Sequence, residues 1–351
     1  DSYAHEVPRE QSIAQAQTLL ETALQKKPGA SESIRLYLAG HDGPQNVAYW
    51  YERTDDGTFE THRFRLNDDQ SLDTSLDSSH VADFIYRLHY TAGIMPAQWG
   101  LYALGIICIL YGMALVSGIV LFLPNFLKDL MVVRSGEKNK KRFWLDAHNV
   151  IGVISLPFHV LFAWSSAILA IGVFFLAPFQ YLVFDEDLIE TVGPELGFVE
   201  TPAPTGESAE MLSVAAVLEI VEQQLPGMEP EQLRFEHYGD KNASVSVYGP
   251  AEPGTLVSGA GITLNASSGE SVSRFDPRSA TAGATFYRGL TTLHFVDFGG
   301  YLVKWVFFAL SMLGAFLFYS GNLLYAETRR KRKGKQQPKR VLAMAKLNSG
   351  V

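Results

Sequence analysis

Three long stretches of the chain carry no charged side chain, and they restrict the fold more than any other feature. Leu88 to Leu127 and Ala147 to Phe184 contain no Asp, Glu, Lys or Arg, and Trp305 to Ala326 is a third such stretch with Lys304 at its edge. A helix crosses the hydrocarbon of a bilayer in about 20 residues. All three stretches are long enough, and the two longer ones far exceed a buried helix of a soluble core. Three membrane spans are therefore expected. Charged residues make up 19% of the chain, against ~25% in soluble domains, and the deficit is concentrated in these stretches.

The connecting segments orient the spans. Pro124 to Ala147 holds six basic and three acidic residues, and the tail from Tyr325 holds nine basic and one acidic. Both are expected in the cytoplasm, because short loops rich in Lys and Arg stay inside. Asp1 to Ala97 has eight basic and fifteen acidic residues, and Phe179 to Gly300 has five and eighteen. Both are expected outside. An outside amino terminus needs a signal peptide or a further span upstream of Asp1 to export it. Cys108 is the single cysteine. It excludes an intramolecular disulfide framework, a Cys-based zinc site and a CxxCH haem attachment.

The two outer segments follow one plan. Arg9 to Lys27 has helical periodicity and stops at Pro28-Gly29. Strands are expected at Ser33 to Ala39, Asn46 to Arg53 and Thr58 to Leu66, the last two joined at an Asp55-Asp56-Gly57 turn. In the second segment, Ala209 to Leu225 is the helix and Pro226-Gly227 its stop. Strands follow at Gln232 to Tyr238, Ala243 to Tyr248, Gly261 to Asn265 and Glu270 to Phe275. Pro- and Gly-rich Thr191 to Gly206 reads as a linker without regular structure. The repeat continues into the membrane. Leu88-His89-Tyr90 precedes the span at Trp99, and Leu293-His294-Phe295 precedes the span at Trp305. The second copy has a span in front of its outer domain. By symmetry a fourth helix is expected upstream of the first.

Four of the nine histidines sit at or in spans. His148 opens the second span and His159 lies within it. Eleven residues at 100° each bring them to one face, about 16 Å apart along the axis. Ionisable groups inside a span tend to mark function. Neutral imidazoles at two depths suit a pair of b-type haems, which need no cysteine. They equally suit hydrogen bonds between helices or a proton or metal path. His89 and His294 hold matching places at the outer surface. Gly105, Gly112, Gly118, Gly152 and Gly314 allow close packing, around a flat cofactor or simply between helices. There is no GxGxxG after a strand, so neither nicotinamide nor flavin has a conventional site.

These pieces resemble the PepSY-associated transmembrane family. They are Leu88-His89-Tyr90, Asp146-Ala147-His148-Asn149-Val150-Ile151-Gly152, Leu156-Pro157-Phe158-His159, and Leu293-His294-Phe295 followed by Gly299-Gly300. Asn265-Ala266-Ser267-Ser268-Gly269-Glu270 is similar to that family's strand turn. The resemblance implies an α-helical membrane bundle with two small periplasmic α+β PepSY-like domains in a bacterial inner membrane. The domains are then 1–87 and 179–290. Histidine motifs with spans occupy 88–123 and 291–326, and a further span 148–178. The basic cytoplasmic segments are 124–147 and 327–351. Some members are similar to ferric-siderophore reductases with two b-type haems. Carried over, this gives His89, His148, His159 and His294 as candidate haem-iron ligands, their pairing open. The expected function is transmembrane electron transfer, an oxidoreductase activity, from a quinol or a separate donor protein to a ferric siderophore in the periplasm. Membrane lipids are expected partners and nucleic acid is not. Two other readings stand beside it. One is a sensor or scaffold whose PepSY domains bind a periplasmic peptide or protease, and the other is a transporter of iron or siderophore.

Overall fold

The computed structural model describes residues 9–40, 45–53, 59–67, 71–73, 80–125, 131–134, 140–185, 202–251 and 255–332, with isolated positions at 128, 187, 188, 191, 193, 339, 340, 343 and 346. The Asp55-Asp56-Gly57 turn, His5, His41 and most of the 191–206 linker lie outside them. In chain order the elements are α1 (Arg9–Lys26), β1 (Ser33–Tyr37), β2 (Val47–Arg53), β3 (Phe59–Leu66), β4 (Leu72–Asp73), α2 (His80–Thr91) and α3 (Ala97–Phe122). There follow α4 (Lys140–Ile154), α5 (Leu156–Leu182), α6 (Val214–Gln224), β5 (Gln232–Glu236), β6 (Ser244–Pro250), β7 (Gly259–Asn265), β8 (Ser271–Phe275), α7 (Ala282–Phe295) and α8 (Gly300–Arg332). The chain divides into two units, one of residues 1–89 with 177–289 and one of 90–176 with 290–351.

The first unit is built on one sheet. Its eight strands run β4-β3-β2-β1-β5-β6-β7-β8, and every neighbouring pair is antiparallel. The two outer segments, expected as separate domains, are the two halves of this sheet. They join where β1 pairs with β5, Ile34 opposite Phe235 and Leu36 opposite Leu233. The physical reason is edge pairing. Each half alone would leave a strand with unpaired backbone groups, and joining them removes both edges.

Alternation sets the faces. Ile34 and Leu36 are fully buried while Ser33, Arg35 and Tyr37 point the other way. On β5, Leu233 and Phe235 are fully buried between outward-facing Gln232, Arg234 and Glu236. The buried face lies under two helices. α1 contributes Ala16, Leu19, Leu20 and Ala23, and α6 contributes Val214, Val217, Leu218 and Val221, each set at helical spacing. Gln17 of α1 accepts the Val214 N–H at 2.8 Å, tying the helices of the two halves together. The α6 helix starts at Val214 rather than Ala209, with Ser213 as N-cap accepting from Ala216 N–H. Upstream, Ala209 and Leu212 N–H donate instead to Gly239 and Ala266, so tertiary hydrogen bonds override helical propensity there.

Asp240 organises the loop beside this sheet. Its carboxylate accepts from Thr205 N–H, Gly206 N–H and Asn242 N–H. The Thr205 amide first, and then the other donors, lower its pKa from the ordinary 3.8 to about 2. A depressed folded pKa stabilises above the unfolded value and loses that effect as pH falls through the folded one. Asp240→Ala is therefore expected to lower the melting temperature at neutral pH. The gap from wild type should close between pH 4 and about pH 2 in a thermal-unfolding series.

The second unit is helical. Three helices are long and apolar enough to cross a membrane, α3, α5 and the Gly300–Ala326 part of α8. Their exposed Ile106, Leu110, Val116, Val173, Phe308 and Met312 suit lipid. The second expected span is divided at Ser155 into α4 and α5, because Pro157 has no N–H to donate back to Val153. Ser155 and His159 N–H still bond four residues back, so the α-helical path continues across the division. The third helix runs past 326 into the basic tail, to Arg332.

Candidate functional site

His148 on α4 and His159 on α5 open onto one cavity of about 330 Å³ in the helical unit. This lies within the ~300–1,000 Å³ of small-molecule sites. The walls are mainly apolar. α3 supplies Leu115, Gly118 and Phe122, and α8 supplies Leu317 and Phe318. The shared face expected from eleven-residue spacing is thus a shared wall. Tyr111, Asn149 and Asn322 add the polar groups beside the imidazoles.

Serine hydroxyls tether both rings. Ser155 Oγ donates to Ile151 O at 2.6 Å and, its proton committed, accepts from His159 Nε2 at 2.9 Å. Ser320 Oγ donates to Leu317 O at 3.2 Å and accepts from His148 Nδ1 at 2.8 Å. These bonds fix the tautomers. They leave the lone pair of His159 on Nδ1 and that of His148 on Nε2. A ligating imidazole commonly has its other nitrogen held in this way.

Glycine makes room beside each ring. A Cβ on Gly314 would stand 3.0 Å from Cε1 of His159, and one on Gly321 would stand 3.4 Å from Cε1 of His148. The two glycines are seven residues apart on α8, two turns along one face. Gly105 has a different task. A Cβ there would lie 2.7 Å from Ile171, so it sets the close crossing of α3 and α5.

The remaining candidates are placed elsewhere. His294 is in the last turn of α7 and does not line the cavity; its Nδ1 is 2.8 Å from Ser165 Oγ. Two phenylalanines lie between it and His159. Ring centroids are 5.5 Å apart for His159 and Phe158, 4.5 Å for Phe158 and Phe162, and 5.1 Å for Phe162 and His294. His89 is exposed in the last turn of α2. Both outer histidine helices end at residues with positive φ, Ala92 and Gly93 in one case and Val296 in the other. Gly299 and Gly300, at the start of α8, both hold positive φ, 66° and 63°.

Sequence reading missed Ser155, Ser165, Ser320 and Gly321. Only Ser155 carried a signal, the four-residue spacing to His159 that puts it on the same helical face. Among the described residues no group of three or more His, Cys, Asp or Glu side chains is placed to hold a metal ion. A bare ion of the zinc type needs three or four protein ligands. An iron porphyrin brings four nitrogens of its own and asks the protein for one or two. The donor set here, separate neutral imidazoles in apolar walls with glycine beside each ring, fits the second case.

The sequence profile of the PepSY-associated TM region matches residues 2–328. No curated protein matches the chain.

Proposed function

The chain belongs to the PepSY-associated TM region family, and from that premise we propose that it is a transmembrane electron-transfer protein of the bacterial inner membrane. It would bind two b-type haems and reduce the ferric iron of siderophores on the periplasmic side. The observation that carries this is the arrangement of His148 and His159, each with one nitrogen tethered, one lone pair unoccupied by those tethers and a glycine alongside. The haems, when bound, supply a one-electron ferric/ferrous couple. Everything else falls to the chain.

His148 and His159 would hold the haem iron through Nε2 and Nδ1, with His294 and His89 as the outer candidates. Ser320 and Ser155 hold the rings in the required tautomer. Leu115, Phe122, Leu317 and Phe318 exclude water, and so tune a bound group through burial. Phe158 and Phe162 fill the interval from His159 to His294 with packed rings rather than polar groups. The electron donor is a membrane quinol or a separate protein. One quinol oxidised to quinone gives two electrons, releases two protons and reduces two ferric ions. Ferrous iron binds hard oxygen chelators more weakly, so reduction releases it without breaking a bond in the siderophore.

The test is an absorbance spectrum of the purified protein, expressed with its natural upstream sequence. A Soret band and split α bands on dithionite reduction are expected, followed by reoxidation when a ferric siderophore is added. A colourless preparation would sink the reading and leave a periplasmic scaffold in its place.

A further inference from the structure

The face of the sheet opposite α1 and α6 carries a row of positive charge across the junction of its two halves. Arg63, Tyr49, Arg35 and Arg234 stand in one cross-strand row over β3, β2, β1 and β5, since Tyr49 pairs with Arg63, Arg35 with Tyr49, and Arg35 with Arg234. Arg35 and Arg234 face each other directly across the junction of the two half-sheets. Like charges so placed are destabilising. The neighbouring residues Ile34, Leu36, Leu233 and Phe235 are fully buried, so alternation commits these arginines to the outward face.

Acidic partners are too few to explain the row. Arg234 pairs with Glu236, and Arg65, one outward position along β3, pairs with Asp73 at 2.9 Å. Arg35 lies over the ring of Tyr51 at 5.1 Å. Arg63 lies over that of Tyr49 at 4.5 Å and donates to its hydroxyl. Among the described residues neither of these two has a carboxylate partner. The Nε of Arg63 and of Arg234 is buried without a hydrogen-bond acceptor, an arrangement that folding alone does not favour. Tyr37 and Gln232 form the adjoining row and meet through the Tyr37 hydroxyl at 3.3 Å. The face is accessible, with Tyr51 46% exposed and the Arg234 side chain 37% exposed. Around it, the two outer segments are strongly acidic, with eight basic against fifteen acidic residues and five against eighteen.

We propose that the Arg63–Tyr49–Arg35–Arg234 row is a docking site for an anionic ferric chelate of the aromatic, catecholate class. Guanidinium groups pair with its oxygen charges, and the tyrosine faces and planar guanidinium groups stack on its rings. The assignment rests on the proposed reduction of ferric siderophores and names the chelate chemistry that the outer sheet selects. The like-charge pair at the sheet junction is retained because the ligand neutralises it.

Binding can be read apart from reduction with gallium(III) tris-catecholate, which has the charge and shape of the iron complex and is redox-inert. Full-length protein in nanodiscs of neutral lipid is titrated by calorimetry. Arg35→Glu is expected to weaken binding about tenfold or more. It should at the same time raise the melting temperature, because the introduced carboxylate pairs with Arg234. Arg63→Gln is expected to weaken binding to a similar extent, and a neutral gallium tris-hydroxamate to bind poorly to every form. Equal affinity in wild type and both variants, or equal affinity for the neutral chelate, overturns the proposal. Affinity that falls only in step with a lower melting temperature also overturns it. A colourless protein that still binds the gallium complex through these arginines would refute the haem reading and leave this site standing.

Discussion

His148→Ala and His159→Ala are each expected to remove one of the two proposed haem signals from the purified protein, and the double variant to have none. The expectation follows from helix geometry. The two residues are about 16 Å apart along one helical path, too far to grip opposite sides of a single iron, so on the proposed reading each would serve its own porphyrin. Alanine is the best helix former, so the change deletes the ring without disturbing the helix. The readouts are reduced-minus-oxidised difference spectra and haem per protein by pyridine haemochromogen assay. Gly321→Leu makes the argument sharper. It leaves His148 in place, but its Cβ alone would stand 3.4 Å from that ring. It is expected to empty the same site as His148→Ala while sparing the other. Ser320→Ala, which frees the His148 tautomer, should weaken haem retention by roughly 10–100-fold and not abolish it. Full haem content in both histidine variants would refute the redox function.

The second large effect is on stability. Phe235→Ala is expected to destabilise the sheet unit by about 3–5 kcal/mol. Phe235 is 0% exposed, opposite Ile34 on one side and Val245 on the other, with Tyr238 edge-on at 5.5 Å. It therefore sits at the junction of the half-sheets, and the cavity left by its ring opens between them. Thermal melts of the full-length protein in nanodiscs, followed by circular dichroism at strand wavelengths, should show the loss. Limited proteolysis should cut both outer segments faster. Val272→Ala is the control. Val272 is 43% exposed on the edge strand β8, and a change there is expected to stay within about 0.5 kcal/mol. Equal melting temperatures for the two variants would mean that the junction contributes little.

Much of this structure is legible in the sequence because its signals are local. Runs without charge mark α3, α5 and α8, and the alternation at Ile34 and Leu36 marks β1. Eleven-residue spacing places His148 and His159 on one wall. What cannot be read is the partner of each strand. Alternation says which face of β1 is buried, but not that Ile34 will lie opposite Phe235. That choice depends on backbone edges meeting after the chain has folded, with no periodicity to report it. The same holds for Ser320, whose contact with His148 is 172 residues away in sequence. Ser155 is four residues from its histidine and could have been found.

The junction between β1 and β5 has a consequence for synthesis. Tyr37 and its neighbour Gln232 are 195 residues apart, and two membrane-crossing helices are made between them. At ~5–20 residues per second, translation of that interval takes roughly 10–40 s. For that time the first half-sheet waits outside the ribosome with β1 as an open flank, able to pair with any extended chain nearby. Its safe assembly depends on how soon the second half arrives, and a chain cut short within α5 would keep β1 as an edge strand, unpaired on its β5 side.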